Sequence, residues 1–256
     1  MVERQIDVLD VASSSLASRT MNIKIIYEDN DVLVIDKPAG LVVFREGEGL
    51  KSQEKTVIEY LVETHPELKQ AGEAPRYGIV HRIDKDTSGL LLVAKSTESL
   101  IFLQKQFINR EVEKKYICLV DGVIKDNFGR IETLIARASK DKRKQKVFLK
   151  NGMEPKSARD AVTDFEVLKR FENYTLLSVS IKTGRRHQIR CHFSYLRHPV
   201  AGDKLYSFKD SKIPEGLTRQ FLHAGYLKIK LPSGETKEFK SELPEDLQKV
   251  INNLKN

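Results

Sequence analysis

The chain lacks most of the features that would dedicate it to a staple, a membrane or a cofactor. Two cysteines, Cys118 and Cys191, stand in 256 residues. They form no Cys-x-x-Cys motif and no disulfide framework, which fits a reducing compartment. No window approaches the apolar length of a membrane-spanning helix, about 20 residues. The opening "MVERQIDVLDVASSSLASRT" carries acidic residues and no long apolar stretch, so neither a secretory signal nor a transit peptide is expected. A cytoplasmic protein with no membrane association is the reading. A Gly-x-x-x-x-Gly-Lys-Ser/Thr loop, a Gly-x-Gly-x-x-Gly turn after a strand and a Gly-x-Ser-x-Gly elbow are all missing, which leaves nucleotide cofactors and acyl-enzyme chemistry without support. No internal repeat is visible.

What is present is chain enough for a core, and charge. The composition, 40% hydrophobic and 31% charged, belongs to a soluble globular protein rather than a disordered one. Lys and Arg number 44 against 36 Asp and Glu, a net charge of +8. That balance favours a polyanionic partner held through phosphate neutralisation.

Residues 1–20 read as a flexible tail and 21–256 as one catalytic-size α+β unit without an internal linker. "KIIYEDNDVLVIDKPAG" predicts a hairpin turning at residues 28–31 and stopped by a Lys-Pro-Ala-Gly breaker. Val57, Ile58, Leu61 and Val62 predict a helix over 53–64. Leu90, Leu92 and Val93 mark a short buried strand, and Ser96 a cap for the helix "TESLIFLQKQFINR". "KKYICLVDG" returns as a strand, and the dense basic run 137–150 ends in a strand-like segment. Two strands joined near residues 171–173 follow. "RRHQIRCHFSYLRHP" reads as a helix with Ile189, Phe193 and Leu196 on one face, closed by Pro199. A hairpin turning at 232–234 and a terminal helix begun at Pro244 complete the chain.

The stretch "HRIDKDTSGLLLVAKS", residues 81–96, sets two cations and two carboxylates against one of the most apolar runs in the chain. Thr87 and Ser88 can bond a carboxylate or close a tight turn, and Gly89 lets the backbone pass close to a neighbour. Asp84, flanked by Arg82 and Lys85, is then either a poorly hydrated nucleophile or base, or an Asx turn with a surface ion pair. "KTGRRHQIRCH" places Arg185, Arg186 and Arg190 together, with Arg186 and Arg190 on one face of the expected helix. One of them can hold Asp84 charged and oriented; a solvated basic helix touching phosphate is the other reading. His187 and His192 fall on different faces of that helix with no carboxylate pair nearby, which argues against a metal. His81 reads as a hydrogen-bond donor to the turn. Tyr116 is either strand packing or a wall of a site.

At this point "YGIVHRIDKDTSGLLLVAKS" resembles the signature around the catalytic aspartate of the RluA-type pseudouridine synthases. "IIYEDNDVLVIDKPAGLVV", "EKKYICLVDG", "KTGRRHQIRCHFSYLRHPVAGDKLY" and "FLHAGYLKIKLPSGE" with "SELPEDL" are similar to further segments of that family, in order. The resemblance implies an α+β fold: a curved, mixed, mostly antiparallel sheet in two halves with flanking helices and a central cleft. It implies Asp84 as catalytic carboxylate, Tyr116 stacked on the base, Arg190 paired with Asp84, and Arg82 filling the duplex position left by a flipped uridine. Expected RNA contacts are Arg82, His81, Lys85, Thr87, Arg185 and Arg186, with Lys142, Arg143 and Lys144 on the basic run. Isomerising uridine needs no redox change and no external group, so no cofactor and no metal are implied. The partner would be ribosomal or transfer RNA, and the protein a monomer. Arg186 departs from the family, which usually has a small hydroxyl residue there. The 20 residues ahead of the unit are too few for the small RNA-binding domain some members carry. Two rivals stand beside the enzyme: a non-catalytic structured-RNA-binding or ribosome-assembly protein on the same scaffold, and a metal-dependent hydrolase.

Overall fold

The computed structural model describes residues 23–45 and 54–255. The expected tail, residues 1–20, lies outside them. The first hairpin pairs β1 (Lys24–Glu28) with β2 (Val32–Lys37). Asp29 closes its turn, its Oδ1 accepting from the backbone N–H groups of Asp31 and Val32 at 2.8 and 2.7 Å. Helix α1 spans Val57–Thr64 rather than 53–64, because Thr56 and Glu59 form a reciprocal capping box that fixes its start. After β3 (Ser88–Ala94), Ser96 caps α2 (Thr97–Asn109) as expected, accepting from Ser99 N–H at 3.1 Å. There follow β4 (Glu113–Asp121), β5 (Phe128–Arg137), β6 (Gln145–Phe148), β7 (Arg159–Arg170), β8 (Tyr174–Ile181), α3 (Gln188–Tyr195), β9 (Leu222–Lys230), β10 (Thr236–Lys240) and α4 (Glu245–Asn253).

The ten strands form one sheet in the order β1-β2-β3-β9-β4-β8-β7-β5-β6, with β10 on β9. Every pairing is antiparallel except β3 with β9, which run parallel over only two residue pairs, Ser88↔His223 and Gly89↔Ala224. This short seam joins the two halves of the sheet. Gly89 is required there: its φ is +113°, and a Cβ would lie 2.3 Å from the Ala224 carbonyl oxygen.

Both faces of each half are covered, which is why β3 reads as an unbroken apolar run. In the first half Leu90 and Leu92 pack with Leu100 and Leu103 of α2, while Leu91 and Val93 pack with Val57, Ile58 and Leu61 of α1. In the second, Cys118, Leu177 and Val179 pack with Ile189 and Phe193 of α3, and Leu119 with Leu247 and Val250 of α4. Leu196 does not share the α3 core face; it caps the helix end and is 36% exposed. Among the described residues, no helix is long and apolar enough to cross a membrane.

Candidate active site

Residues 84–88 form the turn that enters β3 at the seam, and each backbone step of it is pinned. The Thr87 N–H donates to the Asp84 carbonyl at 3.1 Å. The Lys85 carbonyl accepts from the Lys37 ammonium at 2.9 Å and from the Gly40 N–H at 2.9 Å. Arg219 donates to the Asp86 carbonyl at 3.2 Å, and Gln220 to the Thr87 hydroxyl at 2.7 Å. The Ser88 hydroxyl meets His223 Nδ1 at 3.0 Å. A rigid strand and this lattice of bonds hold the Asp84 side chain toward the cleft, whose lining Thr87 shares.

Arg190 reaches that carboxylate from α3: its Nη1 donates to Asp84 Oδ2 at 2.9 Å. The same guanidinium is gripped in fork geometry by Asp203, with Nε to Oδ2 at 2.6 Å and Nη2 to Oδ1 at 2.9 Å. Asp203 is fully buried and its Oδ1 also accepts from the backbone N–H groups of Leu205 and Tyr206. Burial works against the Arg190 charge, but Asp203 and Asp84 outweigh it and push the guanidinium further up. Asp203 thus fixes the plane of Arg190 and leaves one nitrogen for Asp84.

The other carboxylate oxygen, Oδ1, has His187 Nε2 at 3.9 Å, beyond hydrogen-bonding distance. The Tyr206 hydroxyl accepts from the Gln145 N–H at 2.6 Å and shares a hydrogen bond with His187 Nδ1 at 3.0 Å, which fixes the ring beside Asp84. Burial pushes His187 down to about 4 against the pull of Asp84, so the ring is neutral at neutral pH.

Tyr116 is buried in β4, and burial, then the Asp84 charge, push its phenol well above the usual tyrosine range. With Arg82, Ile83, Asp84, Ile181, Leu222 and the stretch 184–190 it lines a cavity of about 120 Å³. Arg82 stands exposed at the mouth with its guanidinium 5.2 Å from the Phe44 ring centroid.

The structure rearranges several expectations. The α3 helix begins at Gln188, so Arg186 is not on a helix face with Arg190. Gln188 sets this boundary: its Oε1 accepts from Thr183 Oγ1 and the Arg185 N–H, folding 183–187 into a turn with His187 in the left-handed region at φ 54°. Arg186 and Arg185 line the cleft from that turn. Arg185 donates to the Asp160 carbonyl at 2.9 Å. The hydroxyls of Thr87 and Ser88 bond Gln220 and His223, not the Asp84 carboxylate. Lys85 pairs with Glu54 at 3.2 Å. His81 is an acceptor, not a donor, taking the Leu92 N–H on Nε2 at 3.1 Å; it stacks on Phe107 and burial pushes it down to about 3. It does not line the cavity. On the basic run, Lys142 is exposed, Arg143 is bound to Asp141 at 2.9 Å, and Lys144 lies 5.9 Å from the Tyr206 ring centroid. His192 is buried between Thr133 and Thr163. Among the described residues, no group of three or more His, Cys, Asp or Glu could hold a metal ion.

Sequence reasoning missed Asp203, Tyr206, Arg219, Gln220 and above all Lys37, which it took for part of a breaker. Lys37 is fully buried and donates to the carbonyls of Pro38, Leu41 and Lys85 at 2.8, 3.0 and 2.9 Å. Burial pushes its pKa down to about 7, while Asp86 and Asp84 hold it up. Three acceptors need three hydrogens, which only the ammonium has. Lys37→Met removes the bonds to Pro38 and Leu41 and one of the two to the Lys85 carbonyl, and is expected to cost about 3 kcal/mol, on the order of 1 per lost bond. Urea unfolding reads this loss, and turnover should fall with it as the turn loosens.

Comparisons with known proteins give the family and the fold. A family profile described as RNA pseudouridylate synthase matches residues 31–195. The chain is 40% identical over 236 residues to the uncharacterized RNA pseudouridine synthase YlyB of Bacillus subtilis, covering 92% of this chain and 74% of that protein. It is 35% identical over 263 residues to ribosomal large subunit pseudouridine synthase D of Xanthomonas campestris, covering 98% and 75%. Among solved structures it is similar to human RNA pseudouridylate synthase domain containing 1, with a TM-score of 0.72 at 26% identity over 90% of this chain and 88% of that one. A family match along residues 31–195 and relatives aligned over nearly the full chain place this protein among the RNA pseudouridine synthases of the RluA type, which are isomerases.

Proposed function

We propose that this protein converts uridines of large-subunit ribosomal RNA to pseudouridine, with Asp84 as the catalytic carboxylate and no cofactor. The observation that carries the reading is the 2.9 Å bond from Arg190 to Asp84 at the floor of the cleft, beside Tyr116. The reaction breaks the bond from base nitrogen to the anomeric carbon, turns the base and joins it through C5, which loses its proton while the freed nitrogen gains one. Asp84 acts on the sugar, by attack at the anomeric carbon or by removal of the neighbouring ribose proton. Both routes need an oriented carboxylate, and the fixed guanidinium holds Asp84 in place. Tyr116 offers the base a π face, a contact worth about 1–3 kcal/mol. One chain supplies the whole site, so a monomer suffices, and a ribosomal substrate would place it in the cytoplasm. The name of the Xanthomonas relative supports ribosomal RNA.

The target base must leave its stack at a cost of a few kcal/mol, and Arg82 at the cavity mouth stands where a wedge would fill the gap. Arg82→Ala is expected to lower turnover by about 10–100-fold, while RNA affinity changes by less than about threefold, since one phosphate-type contact is a small part of the total. Single-turnover rates and equilibrium binding separate the two. Loss confined to binding would remove the wedge role.

Site-by-site mapping of pseudouridine in RNA from a strain lacking the protein tests the substrate. Missing pseudouridines in large-subunit ribosomal RNA are expected. Missing ones in transfer RNA alone would redirect the reading, and an unchanged map with an RNA-bound protein would favour the non-catalytic binder.

A further inference from the structure

Cations that this chemistry does not use gather where α2 hands over to β4. Helix α2 ends on Arg110, whose left-handed backbone at φ 63° turns the chain into the strand. Lys114 lies on β4 two positions before Tyr116, its ammonium 4.9 Å from the Phe107 ring centroid. The ladder pairs Lys115 with Ser180 and Tyr116 with Val179, which brings Lys114 alongside Ile181 of the cavity wall. Lys182 follows that residue directly and is exposed, as is Arg110. Arg185 continues the row into the cavity lining.

These groups face charges of their own sign. Lys182 acts on Lys114, and Arg110 and Arg159 act on Arg185. The carboxylates that act on the row are shared with other cations: Asp160, which acts on Arg110 and Arg185, is paired with Lys150 at 2.8 Å, and Asp164, which acts on Lys182, with Arg130 at 2.6 Å. Packing like charges side by side is unfavourable in the free protein, and a bound polyanion would relieve it. Burial, with Lys182 adding to it, pushes Lys114 down to about 8, in keeping with a cation short of a counter-charge.

We infer that Arg110, Lys114, Lys182 and Arg185 form a row that binds phosphodiester groups of the RNA strand flanking the base in the cleft. The inference rests on the reading of the protein as one that acts on RNA. A strand that places a base between Tyr116 and Asp84 brings its neighbouring phosphates within a nucleotide's length of the cavity mouth, where this row stands. Lysine and arginine contacts of this kind position a strand without reading its sequence. The row therefore supplies register and affinity beside the pocket, separately from the basic run 137–150.

The test is the affinity of the full chain for a single-stranded oligouridylate and for a large-subunit ribosomal RNA transcript, each across a salt series. In the triple variant Arg110→Asn, Lys114→Met, Lys182→Gln, asparagine tolerates the left-handed turn and methionine keeps an apolar stem over Phe107. Affinity is expected to fall by about tenfold or more, and the slope of log affinity against log salt to become shallower by about 2, near 0.7 for each single-strand phosphate that is no longer neutralised. The control variant Lys212→Gln, Lys249→Gln, Lys255→Gln removes the same charge from α4 and the loop beside Asn173, at the opposite end of β8 from Lys182. It is expected to stay within about threefold of wild type, because charges beyond a Debye length are largely screened. Should the triple variant not fold, the double variant Arg110→Asn, Lys182→Gln spares half-buried Lys114 and should give about two-thirds of the slope change. Wild-type affinity and slope in the folded variant, or an equal loss in the control, would overturn the inference. Binding, not turnover, is read, so a wild-type protein that binds through this row yet forms no pseudouridine would sink the enzyme reading alone.

Discussion

Replacing Asp203 with alanine should cost about 3 kcal/mol of stability and slow turnover by about 100-fold. The first figure follows from the burial of both partners: removing one leaves Arg190 with a bare, desolvated edge, the situation in which broken buried pairs cost about 3–5 kcal/mol. The lower end applies because Asp84 still neutralises part of the guanidinium. The backbone N–H groups of Leu205 and Tyr206 lose their acceptor as well. In a chain of this size about 3 kcal/mol should appear as a drop in Tm of roughly 6–12 °C. The kinetic figure follows from geometry: without the fork, Arg190 can turn away from Asp84, and misplacement of about 1 Å is enough for a 100-fold loss. Calorimetry and single-turnover rates read the two effects independently. A variant that keeps the wild-type rate would show that Asp203 only supports the fold.

Asp84→Asn should have the larger effect on the reaction and a small one on everything else. The amide oxygen can still accept from Arg190 Nη1, and Asp203 still grips the other two nitrogens, so the fold and cleft should persist. An amide is neither a useful nucleophile at the anomeric carbon nor a base for a ribose proton. Losing a group of that role lowers turnover by about 10⁴-fold or more. RNA affinity should not fall, because the substitution removes a negative charge from a cationic cleft. Weakened RNA binding with normal turnover of the bound fraction would place Asp84 in recognition rather than chemistry.

Much of this was legible in the sequence where the signal is local. The apolar run of β3 announced a buried strand, Ser96 announced its helix, and the charged turn ahead of β3 lies beside the cleft. The breakdown came where a side chain answers to distant backbone. Gln188 reads as an ordinary helical residue, yet its amide holds Thr183 and Arg185 and so expels Arg186 from α3. Lys37 sits in a Lys-Pro-Ala-Gly stretch that looks like surface, since lysine is seldom buried; its three acceptors come together only in the folded chain. Asp203 follows α3 in a loop, and nothing in its spacing marks it as the clamp on Arg190. Strand β5 was missed because the polar and glycine positions in "FGRIETLIAR" break its alternation.

The claim that matters most is that the Asp84 carboxylate drives an isomerisation in this cleft. The most direct measurement is release of tritium from C5-labelled uridine in RNA, with wild type and Asp84→Asn run side by side at saturating protein. Steady release by wild type and none above background by the variant is the predicted result. Equal release from both, or none from either on RNA that both bind, would contradict it.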